Sequence, residues 1–486
     1  MITFAIIRNL QFIKMSEKKQ GQFLPTLSLS SAILLVLSSI LGTGVYKKVA
    51  PMSADLHSPS LVMLCWFLGG VISLCGALSN AEIAGMFAGT GGEYVYYKKI
   101  YNKFLAFMMG WSVFTVIKTA SISSIAYVFS ESVNGLIHLP RFSPDIEKIT
   151  FFGAFTPLEN FGVKALTASL IFVLTFLNTR GLKGVEKLSR YLTQLIVGGL
   201  AFVVISSFLF GGGSVANLTH SASNETVLTG SALFKGMFAA LLATFWGYEG
   251  WNTLGYMAGE IKEPRKNVPL ALTFGLLGVM TIYILVNSAY LFVLPIEQII
   301  AGFKAQNDIA AVAVVRSFSG GIGATVLSVL IILTTLSCTN ATILMPPRMY
   351  QIMSEDGLFF KRAKEIHPEY NTPNFALWIQ GIWAIVLVFS GSFDQLTDRL
   401  IFAAFFFYGA TAFGVFVLRV RYPNLERPYK VIGYPFVPAI FVLFCAVLIV
   451  TTCYNKPDDA LIGLLLILSG VPFYFWWSRK NKVVSE

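Results

Sequence analysis

The amino-acid sequence predicts an all-α polytopic membrane protein with twelve transmembrane helices, and three observations lead to this fold class. Of its 486 residues, 55% are hydrophobic and 13% are charged, whereas soluble domains carry about 25% charged residues. Apolar stretches long enough to cross a bilayer recur along the whole chain. Lys and Arg residues collect in alternate connections between these stretches, as a fixed membrane orientation requires.

Each apolar stretch is a candidate spanning helix, because about 20 apolar residues cross the hydrocarbon core. The twelve stretches are 28–50, 60–86, 104–133, 161–178, 188–211, 231–259, 268–295, 321–353, 375–391, 396–418, 434–454 and 458–478. Several are longer than a bilayer needs, so we expect them to tilt or to extend beyond it. The stretches 161–178 and 375–391 are the shortest.

The distribution of basic residues predicts the orientation of these helices. Of the 36 Lys and Arg residues, 25 fall on the side that holds the N-terminus and 10 on the other side, while Lys118 lies inside a span. Cytoplasmic loops are the basic ones, and an even number of helices returns the chain to its starting side. We therefore expect a multi-pass protein of the cell membrane with both termini in the cytoplasm. This orientation explains the net charge of +11 without a nucleic-acid partner.

Two spans carry glycines beside polar residues near mid-depth. The first span contains SSILGTGVY (38–46), and the sixth contains FWGYEGWN (245–252). Because these spans are five apart, they run in opposite directions through the membrane. This is the arrangement of an inverted repeat of five helices with discontinuous helices 1 and 6. The predicted organisation is a cytoplasmic N-terminal segment (1–27), two five-helix repeats (28–211 and 212–418), helices 11 and 12 (419–478) and a cytoplasmic tail (479–486).

A broken membrane helix leaves backbone amides and carbonyls without partners, which is tolerated where they face a cavity or a ligand. The half-helix that begins near Gly44 presents free amides and a positive dipole end, which favour an anion such as a carboxylate. The half-helix that ends near Ile40 presents free carbonyls, which can hold an ammonium group. A site that combines both halves predicts a zwitterionic amino acid as substrate. We also expect the lipid bilayer to surround the protein. The alternative is that Gly42 and Gly44 only allow close helix packing.

Longer segments of the chain resemble the signature segments of a known family. These segments are GALSNAEIAGMFAGTGGEYVYYKKIY (76–101), GYEGWNTLGYMAGEIKEPRKNVPLAL (247–272), PPRMYQIMSEDGLFF (346–360) and LERPYKVIGYPFVPAIF (425–441). In order and spacing they resemble amino acid permeases of the amino acid–polyamine–organocation superfamily, close to its L-type branch. LGTGV in the first span resembles the Gly-Ser-Gly-Ile turn of that family. The resemblance covers nearly the whole chain and implies transport of amino acids or related amines.

The resemblance also implies positions for the substrate. The family's carboxylate site falls on Gly42, Thr43 and Gly44. Its ammonium site falls on the backbone around Ile40, Trp246 and Gly247. Trp246 also takes the position of the aromatic gate that covers bound substrate in this family.

Glu249 and Lys118 are charged residues at membrane depth, where ionisable groups are costly and are usually functional. Glu249 lies in the break of the sixth span, where it could contact a cationic substrate, carry a proton or act as the structural partner of a buried base. Lys118 of the third span is the candidate base. If the two residues pair, both remain charged and neither needs to titrate. If they do not pair, either could act as a proton switch.

These observations predict a secondary transporter that moves neutral amino acids by alternating access, as an exchanger or as a proton-linked carrier. One alternative is a carrier of cationic amino acids or polyamines that uses Glu249 as counter-charge. Another is a sensor that binds an amino acid without moving it. The four histidines lack metal-ligand spacing and no nucleophile–base cluster is evident, so we expect neither an enzyme nor a metal site nor a cofactor.

A covalent protein partner is also not expected. L-type relatives in animals join a heavy chain through a cysteine in the loop between helices 3 and 4. The corresponding residues of this chain, 134–160, contain no cysteine.

Overall fold

The computed structural model describes residues 25–151, 156–181, 185–222, 228–304, 309–391 and 393–484. Most of the predicted N-terminal segment, with its four basic residues, and the last residues of the predicted C-terminal tail lie outside this part of the chain. The regular structure of the described residues is helical, with two isolated β-bridges that join Leu27 to Ile261 and Thr90 to Met257.

The helices carry the labels α1 to α20 in chain order. They are α1 (Leu29–Ile40), α2 (Gly44–Lys47), α3 (Val49–Leu56), α4 (Pro59–Met86), α5 (Glu93–Ile100), α6 (Lys103–Ser112), α7 (Lys118–Asn134), α8 (Pro144–Glu147), α9 (Phe161–Thr179), α10 (Val185–Phe210), α11 (Gly230–Tyr248), α12 (Pro264–Val293), α13 (Ile296–Lys304), α14 (Ala310–Leu344), α15 (Pro347–Glu355), α16 (Asn374–Val388), α17 (Phe393–Arg421), α18 (Phe436–Asn455), α19 (Pro457–Leu468) and α20 (Gly470–Val484). A π-helical turn, Val113–Ile117, joins α6 to α7, and a 3₁₀ segment, Trp251–Tyr256, follows α11.

Nine helical stretches of the described residues are long and apolar enough to cross a membrane. They confirm the prediction of an all-helical, multi-pass membrane protein. The other three predicted spans contain α1, α11 and α16, which fall outside this set. The first two of these helices end at the glycine-containing breaks that the sequence predicts, which is why each is shorter than its apolar stretch.

The eighth predicted span differs from the structure at its C-terminal end. The sequence places the span at 321–353, and α14 (Ala310–Leu344) consists of two helical segments that meet at a kink, where Gly320 has φ +67° and a non-helical backbone. The second segment begins just after Gly320, where the predicted span begins. The consecutive prolines Pro346 and Pro347 stop the helix at the other end, because proline lacks the amide that would continue it. The separate helix α15 then begins at Pro347.

The spanning helices form one bundle with an apolar outer surface. Extensive packing joins α12 to both α4 and α1, α7 to α14, and α9 to α16. Large apolar side chains point away from the bundle on α10 and α14, with Phe202 68%, Leu209 69% and Ile322 83% exposed. Such exposure would be costly in water and matches a lipid environment.

Several of the segments that carry the family resemblance meet at the predicted cytoplasmic side. Glu82 of α4 is 1% exposed and accepts two hydrogen bonds from the guanidinium of Arg419, at 3.0 and 2.7 Å. The same carboxylate accepts the backbone amide of Val431 at 2.7 Å. Arg348 donates from Nε to Glu260 at 3.1 Å and so joins the loop after α14 to the segment after α11. Ion pairs and a backbone hydrogen bond therefore connect these segments to one another at the predicted cytoplasmic side.

Candidate substrate site at two helix breaks

The first break lies between α1 and α2. Helix α1 ends at Ile40, residues 41–43 leave the helical path, and helical structure resumes at Gly44. The first hydrogen bonds of the resumed segment run from the amides of Tyr46 and Lys47 to the carbonyl of Thr43. The amide of Gly44 therefore precedes the first helical hydrogen bond, as at the start of any helix. The break falls at the residues that the sequence predicts.

The second break follows α11. Glu249 has an extended backbone, and Gly250 has φ +120°, a conformation that residues with a side chain rarely adopt. A β-carbon at Gly250 would also overlap the carbonyl oxygen of Ser39 in the first break. The hydroxyl of Ser39 donates to the carbonyl of Gly250 at 3.3 Å. The two breaks are therefore in direct contact.

Gly44 and Gly247 lie directly against each other where the two broken helices meet. A β-carbon on Gly44 would overlap the Cα of Gly247. The Tyr283 hydroxyl of α12 lies 2.9 Å from the Ile40 carbonyl oxygen and 2.8 Å from the Gly247 carbonyl oxygen. A phenolic hydroxyl has one proton, so it can donate to only one of these carbonyls at a time. The other carbonyl keeps its acceptor capacity.

A small cavity of about 10 Å³, about the space that one water molecule needs, lies where the breaks meet. Six of the seven residues that the sequence assigns to substrate line it, namely Ile40, Gly42, Thr43, Gly44, Trp246 and Glu249. The seventh, Gly247, lies behind this wall against Gly44. The cavity is completed by Ser39, by Ser121 and Ile125 of α7, and by Cys338 of α14.

Trp246 separates this cavity from a larger one. Its indole Nε1 donates to the hydroxyl of Thr43 at 2.9 Å, and its ring meets the edge of Phe393 with centroids 5.8 Å apart. Trp246 also lines a larger cavity bordered by Lys48 and Asp398, on the side that the charge pattern predicts to be extracellular. The indole thus stands between the break region and that opening.

Lys118 and Glu249 form a buried ion pair. The ammonium nitrogen lies 2.8 Å from Glu249 Oε1, and the two side chains are 1% and 5% exposed. Tyr408 of α17 donates to the same oxygen at 2.7 Å. The π-helical turn Val113–Ile117 immediately precedes Lys118, and such turns are frequent at functional sites. The pairing that the sequence left open is therefore present in the structure.

Six residues of this region were not assigned by sequence reasoning: Ser39, Ser121, Ile125, Tyr283, Cys338 and Tyr408. Tyr408 is the single tyrosine of α17, and Tyr283 is one of the two tyrosines of α12. A polar group at membrane depth is the available signal for them. Cys338 and Ser121 lie in runs rich in Ser and Thr on α14 and α7. Their proximity to the breaks depends on helix rotation, which a single sequence does not specify.

Comparison with known proteins decides the family. The amino acid permease family model matches residues 27–474, which is nearly the whole chain. This chain is an amino acid permease. It belongs to the amino acid–polyamine–organocation superfamily that the sequence motifs resemble, and the related proteins are transporters rather than enzymes.

Three relatives show how this permease compares with others. It is 28% identical over 452 residues to the serine/threonine exchanger SteT of Bacillus subtilis (strain 168), covering 93% of this chain and 96% of that protein. It is 28% identical to the b(0,+)-type amino acid transporter 1 of Mus musculus, with 97% and 93% covered. It is 26% identical to the large neutral amino acids transporter small subunit 2 of Homo sapiens, with 95% and 82% covered. These relatives support amino acid transport as the permease's general activity.

Cys338 provides a chemical test of the cavity. Its Sγ lies close to Gly42, within 3.0 Å of where a β-carbon there would sit. If the cavity holds substrate, a transported amino acid at about ten times its Kd will slow the reaction of Cys338 with a small thiol reagent roughly tenfold, because only the empty state reacts. Labelled peptides are quantified by mass spectrometry. The exposed Cys453 is the control and should react at the same rate with and without substrate. Equal labelling of Cys338 in both conditions would place the substrate elsewhere.

Proposed function

We propose that this permease exchanges neutral amino acids across the cell membrane by alternating access. The observation that supports this most strongly is the cavity at the meeting point of two broken helices, whose one carboxylate is already paired with a lysine. Family membership supports amino acid transport in general, and this cavity is the basis for the finer proposal.

The two ends of an amino acid find complementary groups at the breaks. The amides at the start of the resumed first helix, around Thr43 and Gly44, suit the α-carboxylate. The carbonyls of Ile40 and Gly247 suit the α-ammonium group, since the Tyr283 hydroxyl can satisfy only one of them at a time. Gly42 and Gly44 let the substrate approach the backbone closely.

The pairing of Glu249 favours a neutral side chain over a cationic one. A cationic substrate would have to compete with Lys118 at 2.8 Å and with the Tyr408 hydroxyl at 2.7 Å for the same carboxylate oxygen. With the pair intact, the side-chain region carries no net charge and is otherwise formed by Ser121, Ile125 and Cys338. The name of the Bacillus subtilis relative, a serine/threonine exchanger, fits a neutral substrate and exchange.

Alternating access in this proposal uses Trp246 as the gate on the extracellular side. The indole lies between the substrate cavity and the larger cavity, so its displacement would join the two. We infer the twelve-helix organisation from the sequence: inverted repeats at 28–211 and 212–418, with helices 11 and 12 at 419–478. The charge pattern supports a cytoplasmic location for both termini. The absence of cysteine from residues 134–160 supports function without a covalent heavy chain.

Counterflow in proteoliposomes tests this function. Vesicles are loaded with one unlabelled compound at a time, chosen from the twenty amino acids, ornithine, putrescine and GABA, and uptake of a labelled neutral amino acid is measured. We expect neutral amino acids inside to drive uptake of the label, and lysine, ornithine and putrescine not to drive it. Exchange driven by cationic compounds and lost selectively in Glu249→Gln would establish the cationic alternative. Binding without exchange of any compound would indicate a sensor.

A further inference from the structure

A second buried carboxylate, that of Glu93, lies on the predicted cytoplasmic side of the breaks, opposite the larger cavity that Trp246 lines. Glu93 is the first residue of α5 and is 1% exposed. Its Oε2 accepts hydrogen bonds from the Asn252 amide at 2.8 Å and from the Tyr256 hydroxyl at 3.1 Å. Its Oε1 is buried and has no hydrogen-bond partner among the described residues. The carboxylate therefore has neutral donors on one oxygen and none on the other.

Asn252 connects Glu93 to the ion pair at the helix 6 break. The Asn252 side-chain oxygen lies 3.4 Å from the Lys118 ammonium, which binds Glu249. The buried cluster thus contains two carboxylates and one ammonium group, so with both carboxylates ionised it carries one excess negative charge. An uncompensated charge inside a protein is costly and is commonly removed by binding a proton.

The contacts decide which carboxylate takes the proton. Glu249 has the ammonium of Lys118 and the hydroxyl of Tyr408 on its Oε1. Glu93 has no Lys or Arg of the described chain within ion-pair distance, and its free oxygen can carry a hydrogen atom without losing an existing contact. Protonation at Glu93 therefore removes the excess charge and leaves the Lys118–Glu249 pair intact.

The surroundings of Glu93 also favour its protonated form, and six titratable groups face it. They are Lys118, Glu249, Tyr96, Tyr97, Tyr256 and Tyr408. Burial is the largest influence and raises the pKa of Glu93 to about 7; Glu249 acts in the same direction, while the Asn252 and Tyr256 hydrogen bonds and Lys118 oppose it. The start of α5 also favours the charged form, but that helix has only eight residues.

Glu93 lies behind a seam that closes the predicted cytoplasmic side. The Gly91 amide donates to the Tyr256 carbonyl at 3.2 Å, and Thr90 forms a β-bridge with Met257. These contacts join the loop before Glu93 to the segment that contains Asn252 and Tyr256. In the proposal that follows, the inward-open conformation opens at this seam, and separation of the seam admits water to the Glu93 carboxylate.

We propose that Glu93 is a proton-binding site that stabilises the conformation closed to the cytoplasm. This deepens the proposed transport function, on which it rests, by naming the group through which pH regulates it. Glu93 binds a proton when the seam closes and releases it to cytoplasmic water when the seam opens. Glu93 binds the proton more tightly in the closed form, where it is buried, than in the open form, where water reaches it. The closed form is favoured below the ordinary pKa of a glutamate, and this preference declines as pH rises and ends above about 7.

Cysteine labelling of the seam tests the proposal without requiring transport. In a Thr90→Cys variant of the full chain, the rate of maleimide labelling reports seam opening, and the exposed Cys453 corrects for the pH dependence of thiol reactivity. We expect the corrected rate to rise by up to about tenfold per pH unit from about pH 5 to 7. Adding Glu93→Gln, which mimics the protonated carboxylate, should make the rate low at every pH. Adding Glu369→Gln, which alters an exposed carboxylate, should leave the pH dependence unchanged.

The outcomes distinguish this inference from the proposed function. A pH-independent rate in the otherwise native chain, or the same pH dependence with Glu93→Gln, would overturn the proton site even if counterflow works. Unfolding of Glu93→Gln would also overturn it, because the native closed state would then need the charged carboxylate. A pH-dependent seam in a protein that exchanges no amino acid would instead support the proton site and remove the transport function.

Discussion

Lys118→Met will abolish exchange and destabilise the folded permease by about 3–5 kcal/mol, the usual cost of leaving one member of a buried ion pair alone. Both side chains of the Lys118–Glu249 pair are buried, so water cannot solvate the Glu249 carboxylate that remains. The double replacement Lys118→Met/Glu249→Gln removes both charges, and we expect it to recover most of the lost stability. Thermal unfolding in detergent measures the stabilities.

The Lys47–Glu131 ion pair supplies the matched control. Its N–O distance is 2.6 Å, but its side chains are 23% and 33% exposed. Partly solvated pairs contribute about 0–1 kcal/mol, so Lys47→Met should shift the unfolding temperature far less than Lys118→Met. Equal shifts from the two variants would show that burial of the Lys118–Glu249 pair has no energetic consequence. A double variant no more stable than Lys118→Met would indicate that the lysine stabilises something other than Glu249.

Gly44→Ala will reduce exchange by roughly 100-fold, the size of effect that a displacement of about 1 Å can have on a binding geometry. The added methyl group would overlap the Cα of Gly247, and backbone cannot move aside as a flexible side chain can. The two breaks must then separate, which displaces the groups that line the cavity. Initial rates of counterflow measure the effect, and size-exclusion chromatography verifies that the variant folds.

Gly198→Ala is the control for the glycine substitution. Gly198 lies within α10, and a β-carbon there would meet no atom within 4 Å. Alanine is also the better helix former, so this variant should transport at the native rate. If Gly44→Ala transports as well as Gly198→Ala, the contact between the two broken helices is not needed for function.

Much of the fold could be predicted from the sequence because the membrane limits the choices. Only helices satisfy the backbone of an apolar chain in lipid unless a barrel closes, so apolar length identifies the spans. Glycine beside polar residues at mid-depth located both breaks, at Ile40–Gly44 and at Tyr248–Gly250. Six predicted substrate residues line one cavity because those breaks are in contact.

The remaining features depend on distances that a single sequence does not contain. Lys118 follows a π-helical turn whose residues, Val113–Ile117, carry no glycine or proline that would predict it. Glu93 lies between the predicted spans 60–86 and 104–133 and was not singled out by sequence reasoning. Only the packing of α5 against the segment 251–256 shows that it is buried. The helical segment that precedes the kink at Gly320 was not predicted as part of the eighth span.

Competition by amino acids with one end blocked tests whether the broken helices bind the α-carboxylate and the α-ammonium group together. A transported neutral amino acid, its methyl ester and its N-acetyl derivative are compared as inhibitors of counterflow. We expect the free amino acid to compete and each blocked compound to lose at least about tenfold in affinity, since each loses one charged contact. Equal competition by either blocked compound would contradict binding of the amino acid backbone at the two breaks.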